Sequence, residues 1–356
     1  MRRLLIVVAL ALVAGGVFPA SASAAISRDY ADPSCVKQTV PVSLGTHARA
    51  TYRVVAWLCG AAPGRTVIVS VSGTTYNHTY WDFPVDPGRY SFVRALTAAG
   101  YAVLNFDRIG IGESDHPAAL ASTGQANAWV MHTLVRRLRS GAFGGVAFPR
   151  VVSIGHSQGS AIVLLEAETY HDVNGLIDTG LPGVPIGSSA PLTFASLTAA
   201  QLDPAFSGAH IPLGYTTTRP GTRQHLFFDH ADPAVVAADE ALKDLFPAGE
   251  ATVLVDYLAT RTVRVPVFSV YGEHDRFFCD IACTSTLNPT ASLSPLLFSP
   301  AACLESVIVP GAGHDINLHR NAPAWYAQVA DWIARRVGAT ATLPPSQPCS
   351  VRSATS

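Results

Sequence analysis

The chain has 356 residues, 49% of them apolar and 14% charged, with 28 glycines and 25 prolines. That composition excludes a disordered chain or a coiled coil, which need fewer apolar residues or more charge, and a collagen repeat, which needs glycine at every third position. Lysine and arginine together number 24 against 25 acidic residues, and without Arg2 and Arg3 the balance is 22 against 25, a net charge of −3. No strong field is left to attract phosphate backbones or anionic lipid, so nucleic acid is not an expected partner.

Met1-Arg2-Arg3 leads into an apolar run from Leu4 to Phe18, followed by Pro19 and the small residues Ala22-Ser23-Ala24. A short apolar run ending in an A-x-A sequence has the form of a secretory signal, cleaved near Ala24. It is shorter than the roughly 20 residues that cross a bilayer. Residues 1–24 are therefore expected to be removed on export, leaving a secreted protein with no integral membrane span. An exported chain meets oxidising conditions, which favours bridges among Cys35, Cys59, Cys279, Cys283, Cys303 and Cys349. Sequence does not choose the pairing. Cys35 with Cys59 would tie the mature N-terminus to an early strand. Cys279, Cys283 and Cys303 are close enough to staple one loop, with Cys349 anchoring the tail.

Short β-rich runs alternate with longer helical patterns, the signature of an α/β sheet. In chain order, Tyr52 to Leu58 and the almost wholly apolar Thr66 to Val71 read as strands. Tyr90 to Ala99 reads as a helix closed by Gly100, and Tyr101 to Phe106 as a strand. Gln125 to Arg139 is a helix with arginines at its C-terminal end, where positive charge suits the dipole. Val151 to Ile154 is a strand and Ser160 to Thr169 the helix after it. Gly175 to Asp178 and Val265 to Tyr271 are strands separated by far more chain than a βα crossover needs. The intervening segment, 181–263, reads as a lid with helices at Ala195 to Leu202, Pro233 to Leu245 and Ala251 to Ala259. Ser306 to Val309 is the last strand and Pro323 to Val337 the last helix, with Trp325 and Trp332 packed on the sheet. The expected organisation is a core in two parts, 25–180 and 264–338, the lid between them, and an irregular tail from 339 to 356.

The most informative segment is Val151-Val152-Ser153-Ile154-Gly155-His156-Ser157-Gln158-Gly159, a strand running through G-x-S-x-G directly into a helix. The sharp turn exposes the serine at the sheet end, and glycines flank it because side chains there would clash. Ser157 is the candidate nucleophile. A serine hydroxyl needs a base, and the base an orienting carboxylate. Gly272-Glu273-His274-Asp275 follows one later strand and Pro310-Gly311-Ala312-Gly313-His314-Asp315 the next, so Asp275 and His314 are expected at adjoining strand ends. Asp315 and Glu273 compete with Asp275 for the acid role, and Asp275 is preferred for its position. His156 and His274, which flank motif residues, read as packing groups or as groups that support the catalytic side chains.

The order Ser, Asp, His resembles that of the α/β-hydrolases, over roughly Tyr52 to Val337. Asp107-Arg108-Ile109-Gly110-Ile111-Gly112-Glu113-Ser114 is similar to the family's D-x-R-G-x-G-x-S turn and is read as turn-building. Val71-Ser72-Gly73-Thr74 stands where family members carry His-Gly before the oxyanion hole, with Ser72 replacing the histidine. The resemblance implies a mostly parallel central sheet flanked by helices, a helical lid between two late strands, and no cofactor. It also implies an oxyanion hole from the N–H of Gln158 and of Thr74 or Gly73, a choice left open.

Tyr76, His78 and Trp81 follow that loop and either line the substrate pocket or stabilise the loop. His225, Asp229, His230 and Asp232 look like a metal cluster but equally suit a solvated helix end, and no metal is expected. The implied activity is hydrolysis of a carboxylic ester by an acyl-enzyme, the substrate being a small-molecule or lipid-like ester, or a lactone. An exopeptidase would need acids such as Asp229, Asp232, Asp239 and Glu240 to converge on an ammonium. Dehalogenases and epoxide hydrolases of this fold use an aspartate nucleophile, which Ser157 argues against. A non-catalytic binding protein is the reading from another class, disfavoured because no triad member is missing.

Overall fold

The computed structural model describes residues 26–181, 192, 195–253, 262–277 and 298–349. The leader segment, Cys279 and Cys283 lie outside the described residues, as does most of the helix expected at 251–259.

Eleven strands are present among the described residues: β1 (Val36–Val42), β2 (Tyr52–Cys59), β3 (Val67–Val71), β4 (Ala102–Phe106), β5 (Val151–His156), β6 (Gly175–Thr179), β7 (Leu197–Ala199), β8 (Tyr215–Thr218), β9 (Phe246–Pro247), β10 (Val267–Gly272) and β11 (Glu305–Val309). The longer helices are α1 (Phe92–Ala98), α2 (Gly124–Ser140), α3 (Gln158–Tyr170), α4 (Pro233–Leu242) and α5 (Ala322–Arg336). The main sheet runs β1-β2-β4-β3-β5-β6-β10-β11. It is parallel from β4 to β11, while β2 joins β1 and β4 antiparallel. This is the mostly parallel α/β sheet expected, with helices on both faces.

Alternation along each strand divides the core. On β5, Val152 and Ile154 face the side carrying Phe92 of α1 and Trp325 and Trp332 of α5, while Val151 joins Val130, Leu134, Ile162 and Val163 of α2 and α3 opposite. Trp325 and Trp332 are buried against the sheet side as anticipated. The helix expected from Tyr90 starts later: Tyr90 ends a short turn from Pro87, and Ser91 breaks it with an extended backbone, its hydroxyl capping the Arg94 N–H of α1.

The connection from β6 to β10 departs further from expectation. Ala195 to Leu202 is not one continuous helix: Ala195 and Ser196 are helical and Ala200–Leu202 form a 3-10 turn, but the residues between them are a strand. Leu197–Ala199 pairs antiparallel with Tyr215–Thr218, which also pairs with β9, making a small three-stranded sheet. Helix α4 ends at Leu242, before the predicted Leu245, because Phe246 and Pro247 are drawn into that sheet. Strand β1, absent from the sequence reading, occupies the sheet edge, where Pro41 is tolerated. A disulfide joins Cys35 to Cys59, as considered above, whereas Cys303 is bonded to Cys349 and so ties the tail.

One buried charge site makes the sheet sensitive to pH. Asp178 on β6 accepts a 2.7 Å hydrogen bond from Ser269 Oγ on β10, but its Oδ1 is buried without a partner. Burial pushes its carboxyl from 3.8 up to about 7, with the Ser269 bond opposing. The folded state therefore binds more protons than the unfolded one, and stability falls as pH climbs from 3.8 through about 7. The slope is about 1.4 kcal/mol per unit over that window. Asp178→Asn is expected to flatten this dependence and to raise stability at pH 8 but not at pH 3.5, as read by urea unfolding at both values.

Candidate active site

Ser157 sits between β5 and α3 with φ 52° and ψ −116°, a left-handed conformation that a non-glycine residue rarely holds. Two close approaches build this turn. A Cβ on Gly155 would lie 2.3 Å from the Gly159 carbonyl oxygen, and one on Gly159 would lie 2.2 Å from that of Val71 on β3. Only glycine fits at either position. The Ser157 N–H donates to the Thr179 carbonyl at the end of β6, 2.8 Å away.

Neighbouring strand ends bring in the other two groups. Asp275 follows β10, and His314 follows β11 by five residues. A Cβ on Gly272 would come within 2.1 Å of the Gly313 carbonyl oxygen, so the two loops touch backbone to backbone. His314 Nδ1 is 2.9 Å from Asp275 Oδ2, and Asp275 Oδ1 accepts from the Phe277 N–H at 2.8 Å. Both side chains are buried. The His314 ring lies 4.8 Å from that of His156, the residue before Ser157. Burial pulls the His314 pKa down, but the Asp275 carboxylate, its hydrogen bond and the charge of Asp315 outweigh it and leave the pKa raised.

The competing acids are engaged elsewhere. Glu273 accepts from the Gly311 N–H at 2.8 Å. Asp315 lies 3.2 Å from His156 Nε2 and accepts from the Tyr76 hydroxyl, and burial lifts its carboxyl to about 6. His156 is stacked on Tyr80 at 4.5 Å, and burial followed by the nearby His314 charge holds it neutral, far below the usual histidine range. His156 and Asp315 thus form a second, buried histidine–carboxylate pair beside the first.

Gly73 abuts Ser157, since a Cβ on it would fall 3.3 Å from Ser157 Cβ. Ser72, in the place of the expected histidine, donates its hydroxyl to the Tyr76 carbonyl. Arg108 holds the loop: its Nη1 bonds the carbonyls of Ser72 and Gly73 at 2.5 and 3.2 Å, and the same guanidinium pairs with Glu250. The Gln158 side chain also reaches Glu250, through its carbonyl. Asp107 is a turn-builder as read, accepting from the Glu113 N–H. Arg108 does more than the sequence suggested, and its partner lies 142 residues away. No local pattern could have joined them.

Of the three aromatic candidates, only Tyr76 borders the site, its ring near those of His156 and Phe227. His78 is turned away, its Nδ1 2.9 Å from Asp107 and its ring stacked on Trp57, and Trp81 is fully buried against Phe92. These two support the loop from beneath. Phe277 and Phe227 instead flank His314, with ring centroids 4.4 and 6.0 Å away.

The suspected metal cluster is rearranged. Asp229 bonds His230 and His274, while Asp232 bonds Arg320 and Tyr90. Asp239 is paired with Arg223 and Glu240 with Lys243. All four acids that an exopeptidase reading needs are thus already engaged.

Arg108→Ala would strand the Glu250 carboxylate in the interior, and removing one member of a buried pair costs about 3–5 kcal/mol. Urea unfolding is expected to show that loss, and a change under 1 kcal/mol would show that the pair does not hold the loop.

The chain matches the model of the alpha/beta hydrolase family over residues 68–329. Among solved structures it is similar to a monoacylglycerol lipase from Paleococcus ferrophilus, at 16% identity and a TM-score of 0.53, covering 79% of this chain and 98% of that one. A thermophilic esterase from Thermogutta terrifontis aligns at 14% identity and a TM-score of 0.55, covering 83% and 98%. An esterase from Exiguobacterium antarcticum aligns at 14% identity and 0.56, covering 80% and 96%. No curated protein matches at a significant level. The family match, spanning the sheet from β3 to the last helix with Ser157, Asp275 and His314 inside it, makes this chain a member of the alpha/beta hydrolase family.

Proposed function

We propose that this hydrolase is a secreted carboxylic ester hydrolase in which Ser157, His314 and Asp275 form the catalytic triad. The observation that carries the reading is the left-handed Ser157 turn beside a buried His314 whose Nδ1 bonds Asp275. With Nδ1 committed to the carboxylate, Nε2 is the basic nitrogen. It takes the Ser157 proton as Oγ attacks the ester carbonyl carbon. The oxyanion is received by the Gln158 N–H and by an N–H of the Gly73–Thr74 segment. Collapse expels the alcohol, which takes the proton from His314, and water repeats the sequence to release the acid.

The substrate class follows from the surroundings. Tyr76, Phe227 and Phe277 supply aromatic walls beside His314, which suits an apolar acyl or alcohol group. The names of the structural relatives, a monoacylglycerol lipase and esterases, agree with an acyl ester. Lactones are cleaved by the same steps. The engaged acids of the insertion, described above, weigh against an exopeptidase. Export is supported by the leader sequence and by the Cys35–Cys59 and Cys303–Cys349 bonds. The segment between β6 and β10 is read as a lid because Phe227 packs against the His314 loop, its carbonyl accepting the Asp315 N–H.

A p-nitrophenyl ester series from acetate to palmitate tests the reading. Ser157→Ala is expected to lose on the order of 10⁶ in kcat, and a variant keeping a tenth of wild-type turnover would exclude Ser157 as nucleophile. Asp275→Asn is expected to lower kcat by roughly 10⁴. Because the base must be neutral, wild-type kcat/KM should fall on the acid side at a pKa above 6.5. Removing the Asp275 charge leaves burial dominant, so the acid limb of the variant should move to lower pH. An unmoved limb would show that Asp275 does not set the His314 proton.

A further inference from the structure

Away from Ser157, helices α2 and α3 bring three ligating side chains together. His132 projects from α2, Glu166 from the last turns of α3, and Asp172 from the loop after α3. Their ligating atoms all lie within 4.8 Å of one another. His132 Nδ1 is 2.7 Å from Asp172 Oδ2, and the Tyr170 ring stacks on the His132 imidazole at 4.1 Å, fixing its plane. Glu166 is completely buried, and neither of its carboxylate oxygens has a hydrogen-bond partner; Asp172 Oδ1 is also buried and unpartnered. Buried carboxylate oxygens without donors are costly, and burial and the facing Asp172 carboxylate push the Glu166 pKa well up, so the two carboxyls either share a proton or take a cation.

Arg139 contributes its positive field to Glu166 but no hydrogen bond. Arg139 spends its guanidinium on the Asp172 carbonyl, at 3.0 and 2.5 Å, on Asn174 Oδ1 at 2.8 Å and on the Pro149 carbonyl at 2.9 Å. We propose that His132, Glu166 and Asp172 are the ligands of a divalent-cation site that fastens the C-terminal end of α3 to α2. One imidazole nitrogen and two carboxylates suit Zn²⁺ or Mn²⁺, with water completing the shell. The side chains of His132 and Asp172 are 15% and 17% exposed, which gives the ion an entry path, while Glu166 forms the floor. For ligands about 2.0–2.1 Å from a tetrahedral ion, the His132–Asp172 contact must widen to about 3.3 Å, within reach of two side-chain rotations. Glu166 is nine residues from Ser157, about 14 Å along the helix, so the ion belongs to the scaffold and not to ester cleavage.

The site is tested on the full chain, stripped with a chelator and then equilibrated with Zn²⁺ or Mn²⁺ alone. Elemental analysis after dialysis is expected to find a single ion per chain, and the ion should raise the melting temperature. Glu166→Gln and Asp172→Asn are each expected to weaken retention at least about tenfold, while the double variant His230→Ala/His274→Ala, which removes the exposed Asp229 cluster, keeps it. If Glu166→Gln does not fold, Asp172→Asn at the rim carries the comparison. Failure of the wild type to retain either ion overturns the proposal, as does full retention in a folded Asp172→Asn.

Discussion

Everything in the candidate site depends on one close contact: the backbone of α3 enters the sheet so tightly that Gly159 touches the Val71 carbonyl of β3. That approach forces the chain to turn within a single residue, and Ser157 takes the left-handed conformation that results. The strain is stored where the side chain must stand clear of the sheet end. The same approach sets Gly73, which follows β3, against Ser157. Ser157 and the loop proposed to receive the oxyanion are therefore fixed by one packing constraint. A second contact of the same kind, Gly272 on Gly313, couples the loops bearing Asp275 and His314.

Around this frame the protein buries more charge than its 14% charged composition suggests. Arg108–Glu250 and Arg223–Asp239 are both fully interior pairs, and Arg223 also lies over the rings of Tyr76 and Phe227. Pairs of this kind add little net stability, since desolvation offsets attraction. What they supply here is position. Arg108 holds Ser72 and Gly73 by their carbonyls, and Arg223 bonds the hydroxyl of Thr75, so both arginines grip the segment leading from β3 to Tyr76. Asp315 works at the other edge, joining Tyr76 to His156 and adding to the field that lifts the His314 pKa.

The parts of this arrangement that could be read from sequence are those with local signatures. Buried strands β3 and β5 are apolar runs, and the G-x-S-x-G turn announces its glycines because sterics there are local. Asp275 and His314 are legible from their positions after strands, which a parallel sheet converts into proximity. Other features had no such signal. Val36 to Val42 mixes polar residues and a proline, as edge strands do, and lacks the run that marks a buried one. Ala195 to Leu202 has helical composition, yet Leu197 to Ala199 takes its conformation from a partner strand some twenty residues on. His78 and Trp81 belong to the same loop as Tyr76 but face the core, a distinction set by the Asp107 and Trp57 contacts and not by spacing. Arg108 and Glu250 meet only in the folded chain.

The central claim is that the strained turn makes Ser157, among all the serines of the chain, the nucleophile. Its most direct test is to treat the folded protein with a fluorophosphonate and map the modified peptide by mass spectrometry. The account predicts one adduct per chain, on Ser157, lost when the protein is unfolded beforehand. An adduct on another serine, or a folded protein that hydrolyses esters yet leaves Ser157 unmodified, would contradict it.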